Sequence, residues 1–208
     1  MIAALVAPSD ALSEALAASG SVIGNSVHWE PHSFKGETRY EIKGDAASGE
    51  IEASCHDTAS ALFQKQPINL AETPILRWSW KVTGVHPELK EREKSGDDYP
   101  ARVYVVYNPT PWMPWRTRAV NYVWSNHQEK GTIWPNAFTG NAMMIALQSG
   151  APEAGGAWRE ESRNVKEDFK TLFGLELDEI DGIAIMTDCD NAGLPMTGYY
   201  KDIRFSRE

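Results

Sequence analysis

The sequence predicts an all-β protein, an antiparallel jelly-roll β-sandwich with one or two peripheral helices. Apolar and polar residues alternate with a period of two through most of the chain from about residue 27, as in strands that bury one face. A helical period occurs convincingly in only two short stretches. About eight strands with so few helices are typical of a sandwich.

Length and composition are those of one globular domain. The chain has 208 residues, 42% of them hydrophobic and 24% charged. A domain of this size buries roughly 70% of its unfolded surface, so its core needs neither a disulfide nor a metal. We find no internal repeat and no linker, and we predict a single domain over residues 1–208. A helical extension occupies residues 1–26 and the sandwich core residues 27–208.

The N-terminal extension contains the first predicted helix. Ser9 or Asp10 caps an Ala- and Leu-rich stretch that continues to Ala18, and Gly20 ends it. The segment from Met1 to Ala7 lacks the charged flank of a secretory signal. The sequence therefore leaves open whether Met1 is the native start.

The sandwich core is predicted strand by strand. The clearest strand covers residues 75–82, where Leu76 and Trp78 share one face and Arg77 the other. Further strands are predicted over residues 29–34, 38–43, 50–55, 102–107, 119–124, 143–147, 180–187 and 198–205. Apolar side chains three and four residues apart predict a second helix from Trp158 to Phe173, and Gly174 would end it.

Charge narrows the class of partner. The formal net charge is -9, which repels phosphate groups, so we expect no binding of nucleic acid. No apolar run approaches the roughly 20 residues that span a bilayer, and we predict no transmembrane segment. Neutral or cation-bridged ligands fit this composition better.

Cysteine and histidine give little functional information. Whether Cys55 and Cys189 pair cannot be decided from their spacing, and two cysteines leave the compartment open. His28 and His32 would lie roughly 13 Å apart along a strand, too far for one metal ion. Neither a G-x-S-x-G turn nor a phosphate-binding glycine loop occurs.

A Pro- and Trp-rich loop over residues 108–118 is the main candidate ligand site. Flat aromatic rings can stack on the C–H face of a sugar, and the candidates are Trp112, Trp115 and Tyr122. Polar side chains can bind its hydroxyl groups, and the candidates are Arg116, Arg118, Asn121 and Asp98. Alternatively, the tryptophans close the open end of the sandwich.

Adjacent acidic residues form two further candidate sites. Asp97 and Asp98 precede Arg102, and they either pair with it to anchor the preceding loop or bind a ligand or metal. Asp188 and Asp190 begin a segment that resembles a calcium loop, although later positions lack the required oxygen ligands. They are candidate ligands of a structural calcium ion, or else they only shape a turn.

Several ordered blocks resemble a known family. They are Trp78 to Val82, Gly96 to Val103, Asn121 to Trp124, Arg163-Asn164-Val165 with Asp168 and Phe173-Gly174, and Asp188 to Asn191. On these blocks the chain resembles the bacterial domain-of-unknown-function family 3047 from Trp29 to Phe205. The family brings no established activity. The resemblance implies export, to the periplasm or outside the cell, while the composition leaves the cytoplasm open.

The two ends of the core also resemble those of jelly-roll carbohydrate-binding modules. In those modules the first and last strands tend to pair, and a calcium ion is usual. The resemblance therefore implies pairing of the strands near residues 29–34 and 200–205. It concerns the fold and does not fix the function.

The sequence as a whole predicts a non-catalytic protein that binds a carbohydrate or another polyhydroxylated ligand. The alternative is a polysaccharide lyase or hydrolase on the same fold. In that case His127 or Tyr122 would take a proton, and Arg118 would stabilise developing negative charge. A third possibility is an assembly protein that buries the tryptophan loop against a partner chain.

Overall fold

A computed structural model describes residues 29–43, 49–110, 112–153 and 156–208. The helix predicted before Gly20 lies outside these residues. The strands are β1 (Glu30–Lys35), β2 (Arg39–Lys43), β3 (Glu50–Cys55), β4 (Ala59–Gln64), β5 (Ile68–Asn69), β6 (Ile75–Val82), β7 (Ala101–Tyr107), β8 (Arg118–Ser125), β9 (Ile133–Asn136), β10 (Thr139–Ser149), β11 (Arg159–Asn164), β12 (Glu179–Ile180), β13 (Gly182–Asp188) and β14 (Met196–Ser206). The helix α1 covers Val165–Phe173.

The strands form two main sheets. The larger sheet has the order β1-β4-β13-β7-β8-β10-β9, and the smaller sheet the order β11-β6-β14-β3-β2, while β5 and β12 make a short ribbon. The predicted all-β jelly-roll sandwich is confirmed. One pair departs from the antiparallel pattern. Strand β10 lies between β8 and β9, and it runs antiparallel to β9 but parallel to β8.

Alternation along the strands separates a core face from an outer face. In β6, Trp78 and Trp80 are buried between the sheets, where they meet Tyr122 and Trp124 of β8. The ring centroids of Trp78 and Tyr122 lie 5.3 Å apart, and those of Trp80 and Trp124 lie 6.1 Å apart. Since Tyr122 points inward, the residue before it, Asn121, points to the outer face of the larger sheet.

The second predicted helix begins later than the sequence suggests. Residues from Arg159 to Asn164 form β11, which pairs with β6, and the prediction of a helix from Trp158 is wrong over this part. Asn164 ends the strand and caps the helix, because its side-chain oxygen accepts a hydrogen bond of 3.1 Å from the Glu167 amide. Gly174 ends α1 in the left-handed region (φ 68°), as predicted.

No helix in the described ranges has both the length and the hydropathy of a membrane span.

Strand β4 was not predicted because it is apolar on both faces: Leu62 faces the core and its neighbours Ala61 and Phe63 face outward. The implied pairing of the first and last strands is wrong. Strand β1 pairs with β4 in the larger sheet, whereas β14 lies between β6 and β3 in the smaller one.

A disulfide bond joins the two sheets. Cys55 at the end of β3 and Cys189 after β13 are linked, with their sulfur atoms 2.04 Å apart. The pairing that the sequence left open is thereby settled. The bond holds the turn after Asp188 against the smaller sheet.

Candidate functional site

The outer face of the larger sheet forms a groove of about 880 Å³, open solvent included. We call it the sheet groove. The residues that matter most for its chemistry are Phe63, Tyr104, Asn121, Asn136, Phe138 and Asp190. It crosses the central strands β13, β7 and β8, so its floor is rigid.

Small side chains create the depression. Ala59, Ala119 and Ala142 lie along the floor, on strands whose neighbours carry larger groups. On the central strand β7, the ring of Tyr104 packs edge-to-face against Phe63, with centroids 5.5 Å apart. The groove therefore combines an apolar wall with a level floor.

Two polar side chains in the middle of the groove have no hydrogen-bond partner among the described residues. Tyr104 and Asn121 face each other across β7 and β8, and they are only 8% and 7% exposed. Within the described residues no group hydrogen-bonds to the Tyr104 hydroxyl or to the Asn121 amide. Although both residues are largely buried, their polar atoms still reach the groove, so these two side chains are available to a ligand.

Burial also fixes the chemical state of Tyr104. It raises the pKa of the phenol well above its ordinary value, so the hydroxyl keeps its proton at neutral pH and can donate a hydrogen bond. Thr117 adds a buried hydroxyl without a partner further along the groove. Ligand hydroxyl groups could pair with Tyr104 and Asn121, whereas the Thr117 oxygen is inaccessible.

A buried ion pair closes one end of the groove. The Arg102 guanidinium binds Asp188 through both Nε and Nη2, and Nη2 also donates to the Asp97 carbonyl at 2.6 Å. Burial disfavours the charge, but the carboxylates of Asp188 and Asp97 outweigh it and raise the pKa of Arg102. The pairing of Arg102 with a preceding acid is thus only partly as predicted, since its bidentate partner is Asp188.

Asp98 is not available to a ligand. Its side chain is fully buried, and its oxygens accept hydrogen bonds from the amides of Asn191 and Ala192 and from the Asn191 side chain. The prediction that Asp98 contacts a ligand is therefore corrected. Asp98 instead holds the turn after Asp188 in place.

The predicted metal ligands lie together with Asp98. Carboxylate oxygens of Asp98, Asp188 and Asp190 fall within 4.8 Å of one another. Calcium takes 6–8 oxygen ligands, whereas Arg102 already binds both oxygens of Asp188 and backbone amides bind Asp98. These residues fit the ion pair better than the ion, and calcium stays a prediction.

Asp97 lies at the same end with a different environment. Its carboxylate accepts a hydrogen bond of 2.9 Å from the Asn136 amide, and Arg102 lies 3.8 Å away. Burial raises the pKa of Asp97 despite these partners. Asp97 therefore combines contact with the groove and a proton affinity raised mainly by burial, as Asp190 also does.

The tryptophan loop borders the other end of the groove. Trp112 and Trp115 are 76% and 64% exposed, which contradicts the alternative that they close the sandwich. Asn141 donates to the Trp115 carbonyl at 2.7 Å, and Arg118 donates to the carbonyls of the same loop. Arg118 thus supports the loop, while Arg116 is exposed.

Tyr122 does not belong to the ligand surface. It is fully buried in the core, and its hydroxyl donates to Asp168 at 2.7 Å. Arg163 binds the same carboxylate and completes a buried network at the start of α1. The prediction that Tyr122 stacks on a sugar is therefore wrong.

The predicted catalytic residues do not converge. Arg118 begins β8 and His127 follows its end at Ser125, so a strand of roughly 23 Å, at about 3.3 Å per residue, separates them. Tyr122, between them, faces the core. His127 instead approaches the buried carboxylate of Glu91, with Nδ1 at 3.8 Å from Oε2.

Sequence reasoning missed Phe63, Tyr104 and Asn136. A signal for Tyr104 was present, since Arg102 and Tyr104 place polar groups on one face of a strand that is otherwise apolar. Phe63 lies on the unpredicted strand β4. Asn136 reaches Asp97 only through the fold, because 39 residues separate them.

Comparisons with known proteins agree with this architecture. Residues 27–204 match a family described as a protein of unknown function (DUF3047). No curated protein matches the sequence significantly.

Solved structures share the sandwich. An endoglucanase from Rhodothermus marinus has 10% identity and a TM-score of 0.50, over 90% of this chain and 94% of that chain. A meso-active, thermo-stable cellulase derived from the same organism's enzyme has 13% identity and the same score and coverage. A carbohydrate-binding module in complex with β-1,4-galactotriose has 11% identity and a TM-score of 0.38, over 92% and 93%. At such identities the likeness to the two cellulose-degrading enzymes shows the fold alone.

Proposed function

Starting from the fact that this chain belongs to the DUF3047 family, we propose that it binds a carbohydrate or another polyhydroxylated ligand in the sheet groove, without catalysis. The family has no activity from which to reason, so the proposal rests on the site. The observation that carries it is the adjacent pair Tyr104 and Asn121, which line the groove and have no hydrogen-bond partner in the described part of the chain.

The groove offers what a sugar needs. A pyranose presents an apolar C–H face and a rim of hydroxyl groups, so it suits a site that mixes aromatic rings with amides. Phe63 and Tyr104 supply rings on one side of the floor, and Phe138 lies near Asn136 on the other. Exposed Trp112 and Trp115 extend the aromatic surface beyond the groove.

Binding to a glycan panel tests the proposal. Tyr104→Phe removes only the hydroxyl, and the loss of one hydrogen bond should weaken binding by about 3- to 10-fold. Asn121→Ala should weaken it at least as much. The matched control is Tyr199→Phe, because Tyr199 lies on the outer face of the smaller sheet under Lys81. Titration calorimetry on ligands that bind the unchanged protein provides the affinities.

Two outcomes would contradict the proposal. Either no glycan of the panel binds at millimolar concentration, or Tyr104→Phe and Asn121→Ala bind as tightly as Tyr199→Phe. Circular dichroism shows whether each variant keeps the sandwich.

A hydrolase is the second candidate, and Asp97 is the observation that favours it. A groove-lining carboxyl group with a pKa raised by burial suits a general acid. Asp188 cannot be its partner carboxylate, since Arg102 holds both of its oxygens. Asp190 is the remaining choice. Release of reducing ends from polysaccharides, lost in Asp97→Asn, would favour this function over simple binding.

Export is part of the proposal. Stable disulfides form in oxidising compartments such as the periplasm or the cell exterior, and the Cys55 to Cys189 bond supports such a location. Thiol alkylation followed by mass spectrometry on fractionated cells tests this. Recovery of the reduced protein from the cytoplasm would contradict it.

A further inference from the structure

One end of the sheet groove carries unbalanced negative charge. Four carboxylates gather there, and they belong to Asp97, Asp98, Asp188 and Asp190. Among the described residues, the cations beside them are Arg102 and Lys35, and Lys35 also pairs with Asp57 at 2.9 Å. Negative charge is therefore in excess at this end.

Asp190 is the carboxylate with the most freedom to meet a ligand. Backbone amides bind Asp98 and the Arg102 guanidinium binds Asp188. Among the described residues, the Asp190 carboxylate accepts one hydrogen bond, of 3.2 Å, from the Asn191 side-chain amide, while the Lys35 ammonium donates to the Asp190 backbone carbonyl at 3.1 Å. Burial and the charge of Asp98 raise its pKa. A cation from outside would relieve this repulsion.

Acidic residues alone would not make a binding site, but two polar side chains of the same groove point independently to a ligand. Tyr104 and Asn121, each more than nine-tenths buried as a residue and without a hydrogen-bond partner among the described side chains, line the same groove as Asp190. A ligand whose hydroxyl groups bind this pair would place its next units near the acidic end.

We propose that the sheet groove selects a glycan with free amino groups, and that an ammonium group of this amino sugar lies against Asp190. This inference rests on the carbohydrate binding proposed above and names its ligand class. Uronic acids and sulfated sugars would be disfavoured, because they would bring a negative charge to an end that already has an excess.

Matched oligosaccharides test the charge directly. Oligomers of glucosamine and of glucose, with equal length and β-1,4 linkage, differ only in an amino group against a hydroxyl group, and a polygalacturonate oligomer supplies negative charge. Calorimetry with a chelator present excludes bridging metal ions. We expect the glucosamine oligomer to bind about fivefold tighter than the glucose oligomer at low salt. The advantage should shrink in 0.5 M salt, at which screening is strong.

A variant locates the effect. Asp190→Asn should reduce the ratio of the two affinities to less than about twofold. The control is Asp178→Asn, the same chemical change at an exposed site beside α1, where Asp178 pairs with Lys166 at 2.7 Å. It should leave the ratio unchanged.

The outcomes separate the two proposals. If the glucose oligomer binds as tightly as the glucosamine oligomer, or polygalacturonate binds better, the amino-sugar inference is wrong and groove binding stands. A preference for glucosamine that survives Asp190→Asn would also overturn it, since the charge would lie elsewhere. If none of the three oligomers binds and no other glycan does, both proposals fail.

Discussion

Arg102 is the buried charge on which the end of the groove depends. Its guanidinium bridges Asp188 of β13 and the backbone at Asp97, so it joins a strand to the long loop before β7. An ion pair of this kind gains little over an apolar pair of equal size, but removal of one partner leaves a buried charge without compensation. The contribution of this ion pair to stability therefore becomes measurable when one of its partners is removed.

We expect Arg102→Met to lower the free energy of unfolding by about 3–5 kcal/mol. Arg102→Met with Asp188→Leu should cost clearly less, because the carboxylate that the guanidinium bound through two nitrogens is removed with it. The control Arg39→Met removes a largely exposed guanidinium and should cost less than about 1 kcal/mol. Urea unfolding of the four proteins provides the values. A double variant less stable than Arg102→Met would contradict this account.

Asp97 should give stability a defined pH dependence. Because its pKa is raised by folding, the unfolded chain releases this proton more readily, and ionisation costs the folded state free energy as pH rises from about 4. Asp97→Asn removes that cost. The variant should therefore gain stability relative to the unchanged protein as pH rises above about 4. A relative loss over the same range would show that the charged carboxylate is stabilising.

The strands differ in how far the sequence could specify them. Strand β6 was predicted within its observed bounds, because one face is apolar and the other polar over eight residues. Strand β4 was not predicted, since one of its faces is buried in the core and the other lines the groove. The parallel pairing of β8 and β10 depends on a crossover that local alternation does not encode.

The groove was harder to predict because it depends on how the strands pair, which local alternation does not encode. Trp112 and Trp115 stand out in the sequence and prove exposed, whereas Tyr104 and Asn121 become a pair only through the register of β7 and β8. The sequence therefore indicated the border of the site and Asn121 on its floor, but not Tyr104 beside it. Tyr122 illustrates the converse, since a one-residue shift along a strand moves a side chain from the groove to the core.

The junction of β11 and α1 offers a test of local encoding. Asn164 ends the strand and caps the helix through a bond to the Glu167 amide. Asn164→Ala should lower the free energy of unfolding by about 1 kcal/mol, and Asn164→Asp should preserve most of it. Equal losses in thermal unfolding would show that the hydrogen bond to the cap is not the cause.

The two sheets are held together by an apolar core and by one covalent link. Core packing acts across the whole interface, where Trp78, Trp80 and Tyr122 interlock. The disulfide between Cys55 and Cys189 acts at one point, beside the turn that Asp98 holds and next to both Asp188 and Asp190. It therefore couples the stability of the whole molecule to the acidic end of the groove.

The expected effect of removing the disulfide depends on the length of the loop that it closes. The cysteines are 134 residues apart, and the chain-entropy estimate for such a loop is about 5 kcal/mol. We expect Cys55→Ser with Cys189→Ser to lose stability of that order. It should also weaken the glycan binding proposed above, because the turn bearing Asp190 loses an anchor. Reduction of the unchanged protein should reproduce both effects, whereas a reducing agent should not alter the serine variant. A serine variant as stable as the oxidised protein would show that core packing alone fixes the two sheets.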